Sequence, residues 1–343
     1  MVGISLLTLV PGELGGSETY VRELLRGLGR VGTHDYEVLL PPVAPAAAEG
    51  LPSTVSRGYR AARTPAQRVV AMTAATVRPP RLDADVVHYP LTLRIPRVEA
   101  RTVVTLHDLQ HLDLPAMFPR SERLFRRLAW QPSIRAADRV IVISEFVRGR
   151  AIALLGLEPS RLRVVPLGLD HATLAPGAGR EPFLLYPARR WPHKNHARLF
   201  EAFALVRAQR PELRLVLTGG GDFRDVPDGV EARGHVPWPE VVTLMQQASA
   251  LVFPSLYEGF GLPPLEAMAC GCPVACSDAG ALPEVVGDAA RLFDPHDPAA
   301  IAAAVLDVLS DPAPWVERGL ARARRYSWDE TARLTDAVYA ELL

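Results

Sequence analysis

The sequence has few cysteines and no long apolar run. Its three cysteines, Cys270, Cys272 and Cys276, are too few for a disulfide scaffold and lack the partner pair of a zinc site, so we interpret them as small core residues of a reducing compartment. No apolar run approaches the ~18 residues that a membrane-spanning helix needs. The apolar segment 1–10 has no basic residues before it and runs into Pro11, which favours a first strand over a signal peptide.

Lysine and asparagine are almost missing. Of the 38 basic residues 37 are arginine, and the only lysine and the only asparagine of the sequence are neighbours, Lys194 and Asn195. Because arginine serves at every other basic position, a single lysine indicates a site that needs a compact ammonium group. The alternative is chance.

The chain also has no net charge, but the two signs are unevenly distributed. The first 168 residues hold 22 basic and 15 acidic residues, whereas the rest hold 16 basic and 23 acidic residues. A basic first half favours an anionic partner, such as a membrane surface. The alternative is that the arginine-rich helix faces are simply solvated.

The length and the pattern of the chain predict two α/β domains. At roughly 100–200 residues per domain, a chain of 343 residues is too long for one core. A composition of 48% hydrophobic and 22% charged residues excludes a disordered chain or a coiled coil. Short apolar runs alternate with helical patterns twice over, which predicts two doubly wound parallel sheets. The predicted strands are 2–10, 36–40, 85–89, 102–106, 139–143, 162–165, 183–186, 213–217, 231–236, 251–254, 273–276 and 291–293. The predicted helices are 17–30, 65–77, 121–137, 145–155, 195–209, 239–248, 263–270, 298–309, 312–325 and 328–342.

The predicted boundaries follow from this pattern. We expect a first Rossmann-like domain over 1–170, a linker rich in Ala, Gly and Pro over 171–182, a second Rossmann-like domain over 183–325, and a terminal segment over 326–343. Open parallel sheets bind ligands beyond the carboxyl ends of their strands. We therefore expect the two domains to face each other across a cleft that holds the site.

Two glutamates follow the predicted strand 251–254. Glu258 lies in a loop with Gly259 and Gly261, and Glu266 lies about one turn into the helix that follows. The glycines let a ligand approach the backbone, and the start of a helix favours an anion. Carboxylates accept hydrogen bonds from pairs of sugar hydroxyls, so the two glutamates fit a sugar on one side and a ribose on the other. The alternative is that both are solvated acids.

Two cations follow the predicted strand 183–186. Arg189 and Lys194 are five residues apart, in a loop that leads into a helix. Fixed cations at this place would stabilise negative charge that develops on a bound group. The segment 219–222, Gly-Gly-Gly-Asp, either receives a nucleotide or ends its strand.

Two further candidates lie in the first half. Gly15 and Gly16 open the first helix without the G-x-G-x-x-G pattern of a dehydrogenase, and Ser17 is interpreted as the N-cap of that helix. His107 follows the strand 102–106, where it could hydrogen-bond a sugar hydroxyl. The alternative is a histidine that fixes its own loop.

The segment PSLYEGFGLPPLEAMACG, with its Glu258-x7-Glu266 spacing, resembles the signature of the family-4 retaining glycosyltransferases, which have the GT-B fold. The resemblance implies that Glu258 contacts the donor sugar and that Glu266 holds the nucleotide ribose. It also implies that the backbone of Phe260, Gly261 and Leu262 lies along the sugar and the diphosphate.

The resemblance extends over nearly the whole chain. It implies that Arg189 and Lys194 form the diphosphate clamp, that backbone at Gly16, next to Gly15, approaches the diphosphate, and that His107 lies beside the transferred sugar. The backbone of Val236 would hold the base edge. The segment WPHKN, 191–195, is similar to that of a mannosyltransferase-type branch of the family. The end of the chain, 326–343, is similar to the family's helix that crosses back to the first domain.

Together these observations predict a retaining, metal-independent hexosyltransferase. It would move a hexose, a mannose-like sugar being favoured, from a nucleotide-sugar such as a GDP- or UDP-sugar to a hydroxyl of a glycan or lipid-linked acceptor in glycan or cell-surface polysaccharide biosynthesis. No other cofactor, metal or nucleic-acid partner is expected. We expect a cytoplasmic location, with peripheral contact at the inner membrane face. The alternatives are a sugar-nucleotide epimerase or sugar phosphorylase on the same scaffold, and a non-catalytic nucleotide-sugar-binding protein.

Overall fold

The chain folds into two compact units in a computed structural model that describes residues 1–13, 15–56, 82–221 and 223–343. The first unit comprises Met1–Gly168 together with Trp328–Leu343, and the second comprises Leu169–Ser327. The predicted helix at 65–77 lies outside the described residues.

The first unit is built on a parallel sheet that has seven strands in the described part of the chain, in the order β3-β2-β1-β4-β5-β6-β7. The sheet grows one way from β1 and the other way from β4, so the strand order reverses between these two strands, as in a doubly wound fold. The strands are β1 (Val2–Ser5), β2 (Tyr36–Leu40), β3 (Ser53–Val55), β4 (Val86–Tyr89), β5 (Arg101–Leu106), β6 (Arg139–Val142) and β7 (Leu162–Val164).

Helices connect these strands, and the last helix of the chain also belongs to the first unit. They are α1 (Gly16–Val31), α2 (Gln110–Asp113), α3 (Arg120–Phe125), α4 (Gln131–Arg135), α5 (Glu145–Leu155) and α12 (Trp328–Ala340), with a π-helical segment, Arg126–Trp130, between α3 and α4.

The second unit repeats the design with six strands in its described residues, in the order β10-β9-β8-β11-β12-β13. Here the order reverses between β8 and β11, which pair directly. The strands are β8 (Glu181–Pro187), β9 (Arg214–Thr218), β10 (Val230–Ala232), β11 (Ala248–Phe253), β12 (Val274–Ser277) and β13 (Arg291–Phe293). The helices are α6 (His196–Gln209), α7 (Trp238–Gln247), α8 (Leu262–Ala269), α9 (Leu282–Val286), α10 (Pro298–Ser310) and α11 (Ala313–Ala323).

The central strands are apolar because helices cover both faces of a doubly wound sheet. In β11 the last four residues are fully buried, and β12 carries Cys276. The prediction that the cysteines are core residues is confirmed, since Cys270, Cys272 and Cys276 are all buried and free.

Several predicted boundaries are wrong. The first strand ends at Ser5 rather than at residue 10, and the third strand of the second unit ends at Ala232 rather than at residue 236. The edge strand β3 was missed because its three residues are all exposed and carry no apolar signal. The predicted linker 171–182 overlaps the start of β8 at Glu181.

The terminal helix α12 follows the second unit in sequence but packs on α1 of the first. Gly27 of α1 permits the close approach, because a Cβ there would lie 2.8 Å from the Cβ of Ala332. Buried polar contacts fix the helix. The Asp336 carboxylate accepts hydrogen bonds from the backbone N–H and the hydroxyl of Thr33, at 3.0 and 2.6 Å, and Tyr339 Oη lies 2.7 Å from Nδ1 of His88.

No single helix of the described residues is long and apolar enough to span a membrane. Among these residues, one pair of helices bent against each other, Pro298–Ser310 with Ala313–Ala340, has the length and composition of a membrane span.

Candidate functional site

The predicted site residues fall into two sets, one in each unit. The second unit holds Arg189, Lys194, Val236, Glu258, Phe260, Gly261, Leu262 and Glu266, and the first unit holds Gly15, Gly16 and His107. In the second unit, the loops after β8 and β11 carry the cations and Glu258. Because these two strands are neighbours where the strand order reverses, the topology brings their loops together.

Asn195 ties these two loops to each other. Its buried side-chain Nδ2 donates hydrogen bonds to the carbonyl oxygens of Pro254 and Pro295, at 3.1 and 2.7 Å. Its φ of +61° lies in the left-handed region, which asparagine tolerates better than most residues. The backbone N–H of Leu256 also donates to the carbonyl of His193 at 2.8 Å. The only asparagine of the chain therefore fixes the loop that carries Lys194.

Replacing Asn195 with alanine should lower the free energy of unfolding by about 2–4 kcal/mol, because two buried carbonyls lose their donor and alanine adopts the left-handed backbone less readily than asparagine does. Asn195→Gly loses the same hydrogen bonds without the backbone penalty, so it should cost about 1 kcal/mol less. Urea denaturation measures both variants. An alanine variant as stable as the wild type would contradict this role.

Lys194 and Glu258 form an ion pair at the carboxyl ends of β8 and β11. Nζ of Lys194 lies 2.5 Å from Oε1 of Glu258, and the side chains are only 14% and 15% exposed. The ammonium also lies 5.2 Å from the centre of the Phe253 ring, and Tyr186 Oη donates to the Lys194 carbonyl at 2.6 Å. A compact ammonium fits between a carboxylate and a ring where a planar guanidinium would need more room.

Arg189 lies five residues before Lys194 in the same loop, and it is half-buried. Its guanidinium carbon is 5.6 Å from the centre of the Trp191 ring, so the aromatic face supports the charge. Arg190 is exposed, and its guanidinium carbon lies 5.5 Å from the Phe223 ring.

Three glycines after β9, at 219–221, let this strand end close to the loop that carries Arg189 and Arg190. The φ values of Gly219 and Gly221 are +110° and +142°, and a Cβ on Gly221 would lie 2.6 Å from the Cβ of Arg190. The backbone N–H of Arg190 donates to the carbonyl of Gly220 at 2.9 Å. These contacts support the interpretation that the glycines end the strand; Asp222 lies outside the described residues.

The loop of Phe260, Gly261 and Leu262 is buried. The side chains of Phe260 and Leu262 are buried, and the Phe260 ring packs edge-on against Tyr326, with centroids 5.8 Å apart. Gly261 has a φ of +111° at the N-cap of α8. The helix starts at Leu262, one residue before the predicted start, and its N-cap, Gly261, provides no side-chain hydrogen bond.

Glu266 is the most perturbed carboxylate of this site. Its side chain is buried in α8, and no hydrogen bond or ion pair from the described residues reaches its carboxylate. Burial raises the pKa of Glu266 to about 8. The alternative that Glu266 is a solvated acid is therefore wrong. An unpartnered buried carboxyl group is suited to bind the hydroxyls of a ligand.

Val236 lies half-buried between β10 and α7, two residues after Gly234. The Gly234 carbonyl accepts a hydrogen bond from the backbone N–H of Gly219 at 2.7 Å, so this segment is fixed at the carboxyl end of β9.

In the first unit, Gly15 and Gly16 leave open space at the start of α1. Gly15 is the N-cap, with a φ of +55°, and a Cβ on either glycine would meet no atom of the described residues within 4 Å. The prediction that Ser17 is the N-cap is wrong, because the helix has already begun at Gly16. Glu18 bends back and accepts a hydrogen bond from the N–H of Gly12 at 2.7 Å.

His107 is oriented by its own unit. It donates through Nε2 to the carbonyl oxygen of Pro90 at 2.8 Å, and its ring stands edge-on to Tyr20 at 5.0 Å. Burial lowers the pKa of His107, so the imidazole is neutral at pH 7. With the proton on Nε2, Nδ1 is left as an acceptor.

One residue that positions Glu258 was not among the predicted site residues. Gly280, after β12, has a φ of +65°, and a Cβ there would lie 2.5 Å from the carbonyl oxygen of Glu258. The next backbone N–H, of Ala281, donates to that oxygen at 3.0 Å. The position of Gly280 just after a predicted strand was the available signal.

The fixed positive charge at this edge comes from Arg189, Lys194 and the N-terminus of α8. Within the part of the chain that the structure describes, no group of three or more His, Cys, Asp or Glu residues is placed to hold a metal ion.

Two family models match the chain, one in each half. The model described as Glycosyltransferase Family 4 matches residues 14–173, and the model described as Glycosyl transferases group 1 matches residues 176–333.

Individual proteins match as well. The chain is 31% identical over 283 residues to O-antigen chain mannosyltransferase B of Escherichia coli, covering 74% of each chain. Sucrose-phosphate synthase (tll1590) from Thermosynechococcus elongatus has the same fold, with a TM-score of 0.79 at 22% identity over 99% of this chain and 98% of that chain. Anabaena Alr3699/HepE, solved in complex with UDP-glucose, has a TM-score of 0.70 at 17% identity over 100% and 99% of the two chains.

Proposed function

The chain belongs to the family-4 glycosyltransferases, and from this premise we propose that it transfers a hexose from a nucleotide-sugar to a hydroxyl group, with retention of anomeric configuration and without a metal ion. The observation that carries the proposal is the Lys194–Glu258 ion pair, which lies where the order of the second sheet reverses. This is the place where an open parallel sheet binds its ligand.

In the proposed donor complex, the partners of Lys194 and Glu258 change. The diphosphate offers the ammonium more negative charge than one carboxylate does, so Lys194 turns to it, together with Arg189. Glu258 then accepts hydrogen bonds from hydroxyls of the sugar. The N-terminus of α8 and the backbone of Phe260, Gly261 and Leu262 line the diphosphate.

In the proposed reaction, the acceptor oxygen forms a bond to the anomeric carbon on the face from which the diphosphate departs. The bond from that carbon to the phosphate oxygen breaks, and the acceptor proton passes to the departing oxygen. Lys194 and Arg189 stabilise the charge that develops on the diphosphate. Neutral His107 accepts a hydrogen bond from a hydroxyl of the transferred sugar through Nδ1.

The proposed donor carries a mannose-like sugar, and the proposed acceptor is a glycan or a lipid-linked glycan. The sequence WPHKN and the identity of 31% to an O-antigen chain mannosyltransferase support this choice. Backbone at Val236 would contact the base, and Gly15 and Gly16 would let the diphosphate approach the start of α1.

Glu266→Gln should change both stability and affinity. Burial raises the pKa of Glu266 from 4.5 to about 8, so between these values the native state holds a proton that the unfolded state has lost. Stability should therefore fall as the pH rises from 4.5 to 8, and glutamine should remove this loss. Above pH 8, where the wild-type group is a carboxylate, the same variant should bind the nucleotide-sugar about tenfold more weakly, because an amide nitrogen cannot accept a ribose hydroxyl.

Scanning calorimetry over this pH range measures the first effect, and titration of the donor measures the second. Glu201→Gln, at an exposed position on α6, is the matched control. Equal pH dependence of the melting temperature in the wild type and Glu266→Gln would contradict the buried state of this carboxyl group.

The proposal is tested by incubating the protein with GDP- and UDP-sugars in EDTA, with and without a hydroxyl acceptor. A transferase moves the sugar to the acceptor and, without acceptor, at most hydrolyses the donor. Conversion of the donor sugar into its epimer, or no turnover with any nucleotide-sugar, would contradict it.

A further inference from the structure

One exposed helix face in the first unit combines leucine with arginine. Leu124 and Leu128 are 56% and 68% exposed, the highest values among the large apolar side chains of the described residues. They are four residues apart, which places them on one side of a helix. A pair of leucines held in water on a folded surface needs a partner more than scattered single ones do.

Arginines border these leucines on the same side. Exposed positions recur every three or four residues from α3 through the π-helical segment to α4, and they include Arg120, Arg127 and Arg135. We call these three arginines with Leu124 and Leu128 the Arg/Leu face.

The opposite side of this helical stretch is anchored. Ala129 and Ile134 are buried. The guanidinium carbon of Arg126 lies 4.1 Å from the centre of the Trp130 ring, and its Nε lies 2.9 Å from a carboxylate oxygen of Glu122. The Arg/Leu face is therefore presented by a fixed element.

The charge of the face is not neutralised within the described structure. Glu122 is the only acidic residue between positions 114 and 137, and its carboxylate pairs with Arg126. No ion pair from the described residues reaches Arg120, Arg127 or Arg135, and Nε of Arg135 donates only to the neutral carbonyl of Leu155, at 3.5 Å. The complementary partner is thus an anionic surface that also accepts apolar side chains.

We propose that the Arg/Leu face docks the protein on an anionic lipid bilayer. Leucines enter the boundary between headgroups and acyl chains, while the long arginine side chains reach back to the phosphates. Nucleic acid also presents phosphates, but it has no acyl chains into which Leu124 and Leu128 could insert. The excess of arginine over acids in the first 168 residues adds a long-range attraction of the same sign.

The test is co-sedimentation of the full chain with vesicles of phosphatidylglycerol and phosphatidylcholine, and with vesicles of phosphatidylcholine alone. We expect binding to the anionic vesicles at low salt and weaker binding at high salt. Leu124→Ser with Leu128→Ser should lower the partition coefficient at least about tenfold, because the apolar insertion is lost. Arg120→Gln with Arg127→Gln should lower it about 20-fold at low salt.

Matched controls come from the second unit. Leu205→Ser removes a leucine that is 45% exposed on α6, and Arg324→Gln with Arg325→Gln removes two exposed arginines. These variants should bind vesicles nearly as the wild type does. Circular dichroism and donor binding verify that all variants fold.

Three results would overturn the proposal: no binding of the wild type to anionic vesicles at low salt, face variants that bind like the controls, or equal binding to neutral vesicles. A dimer that the leucine variant dissociates, with no change in vesicle binding, would identify the face as a self-association surface instead. The readout requires no sugar transfer, so it stands or fails separately from the proposed reaction.

Discussion

Replacing Lys194 with alanine should lower turnover by about 10²–10³, the cost of removing one fixed donor from a developing charge. The variant loses the ammonium that neutralises the departing diphosphate. It also leaves Glu258 without its partner, at 2.5 Å in the free protein, so an unpaired buried carboxylate then faces the incoming phosphates. The loss should therefore appear in kcat and in donor affinity together.

Lys194→Arg separates charge from shape. It keeps the positive charge, but its planar fork must enter a space bounded by Glu258 and by the Phe253 ring, 5.2 Å from the ammonium. We expect it to recover only part of the activity. Steady-state kinetics with a single nucleotide-sugar measures both variants, and an alanine variant less than about fivefold slower would remove Lys194 from the mechanism.

Replacing Glu258 with glutamine should lower turnover by about 10², because the sugar loses a charged hydrogen-bond acceptor while it develops positive charge. The same change frees Lys194 from its ion pair in the ligand-free protein. The nucleoside diphosphate product should therefore bind more tightly to Glu258→Gln than to the wild type. Slower chemistry with tighter product binding distinguishes partner exchange from simple damage to the site.

Calorimetric titration of the nucleoside diphosphate and intact-mass spectrometry after reaction provide the two readouts. Product affinity that falls in Glu258→Gln would show that Lys194 and Glu258 stay paired in the complex. A covalent sugar adduct on the wild type that Glu258→Gln abolishes would make Glu258 a nucleophile, and the reaction a double displacement.

The sequence sufficed to place Lys194 and Glu258 because each follows an apolar run, and the ends of parallel strands share one edge. It did not predict their direct contact, since that depends on β8 and β11 being neighbours. The role of Asn195 was hidden for the same reason. Its hydrogen bonds reach Pro254 and Pro295, which follow two other strands.

Burial was the other quantity that composition did not reveal. Glu266 was open to both a solvated and a binding role until the packing of α8 showed its side chain to be buried. In the same way, the sequence predicted a histidine at the end of β5, but the orientation of His107 depends on the carbonyl of Pro90 after the neighbouring β4. Strand ends are readable from local pattern, whereas contacts across neighbouring strands require the fold.

The central claim is that the carboxyl edge of the second sheet binds a nucleotide-sugar through its diphosphate. Its most direct test is calorimetric titration of a panel of GDP- and UDP-sugars into the wild type and Lys194→Ala, with EDTA present. We predict that at least one donor binds the wild type at one site per chain and binds Lys194→Ala at least about tenfold more weakly. Failure of every donor to bind, or equal affinity for the two proteins, would contradict the account.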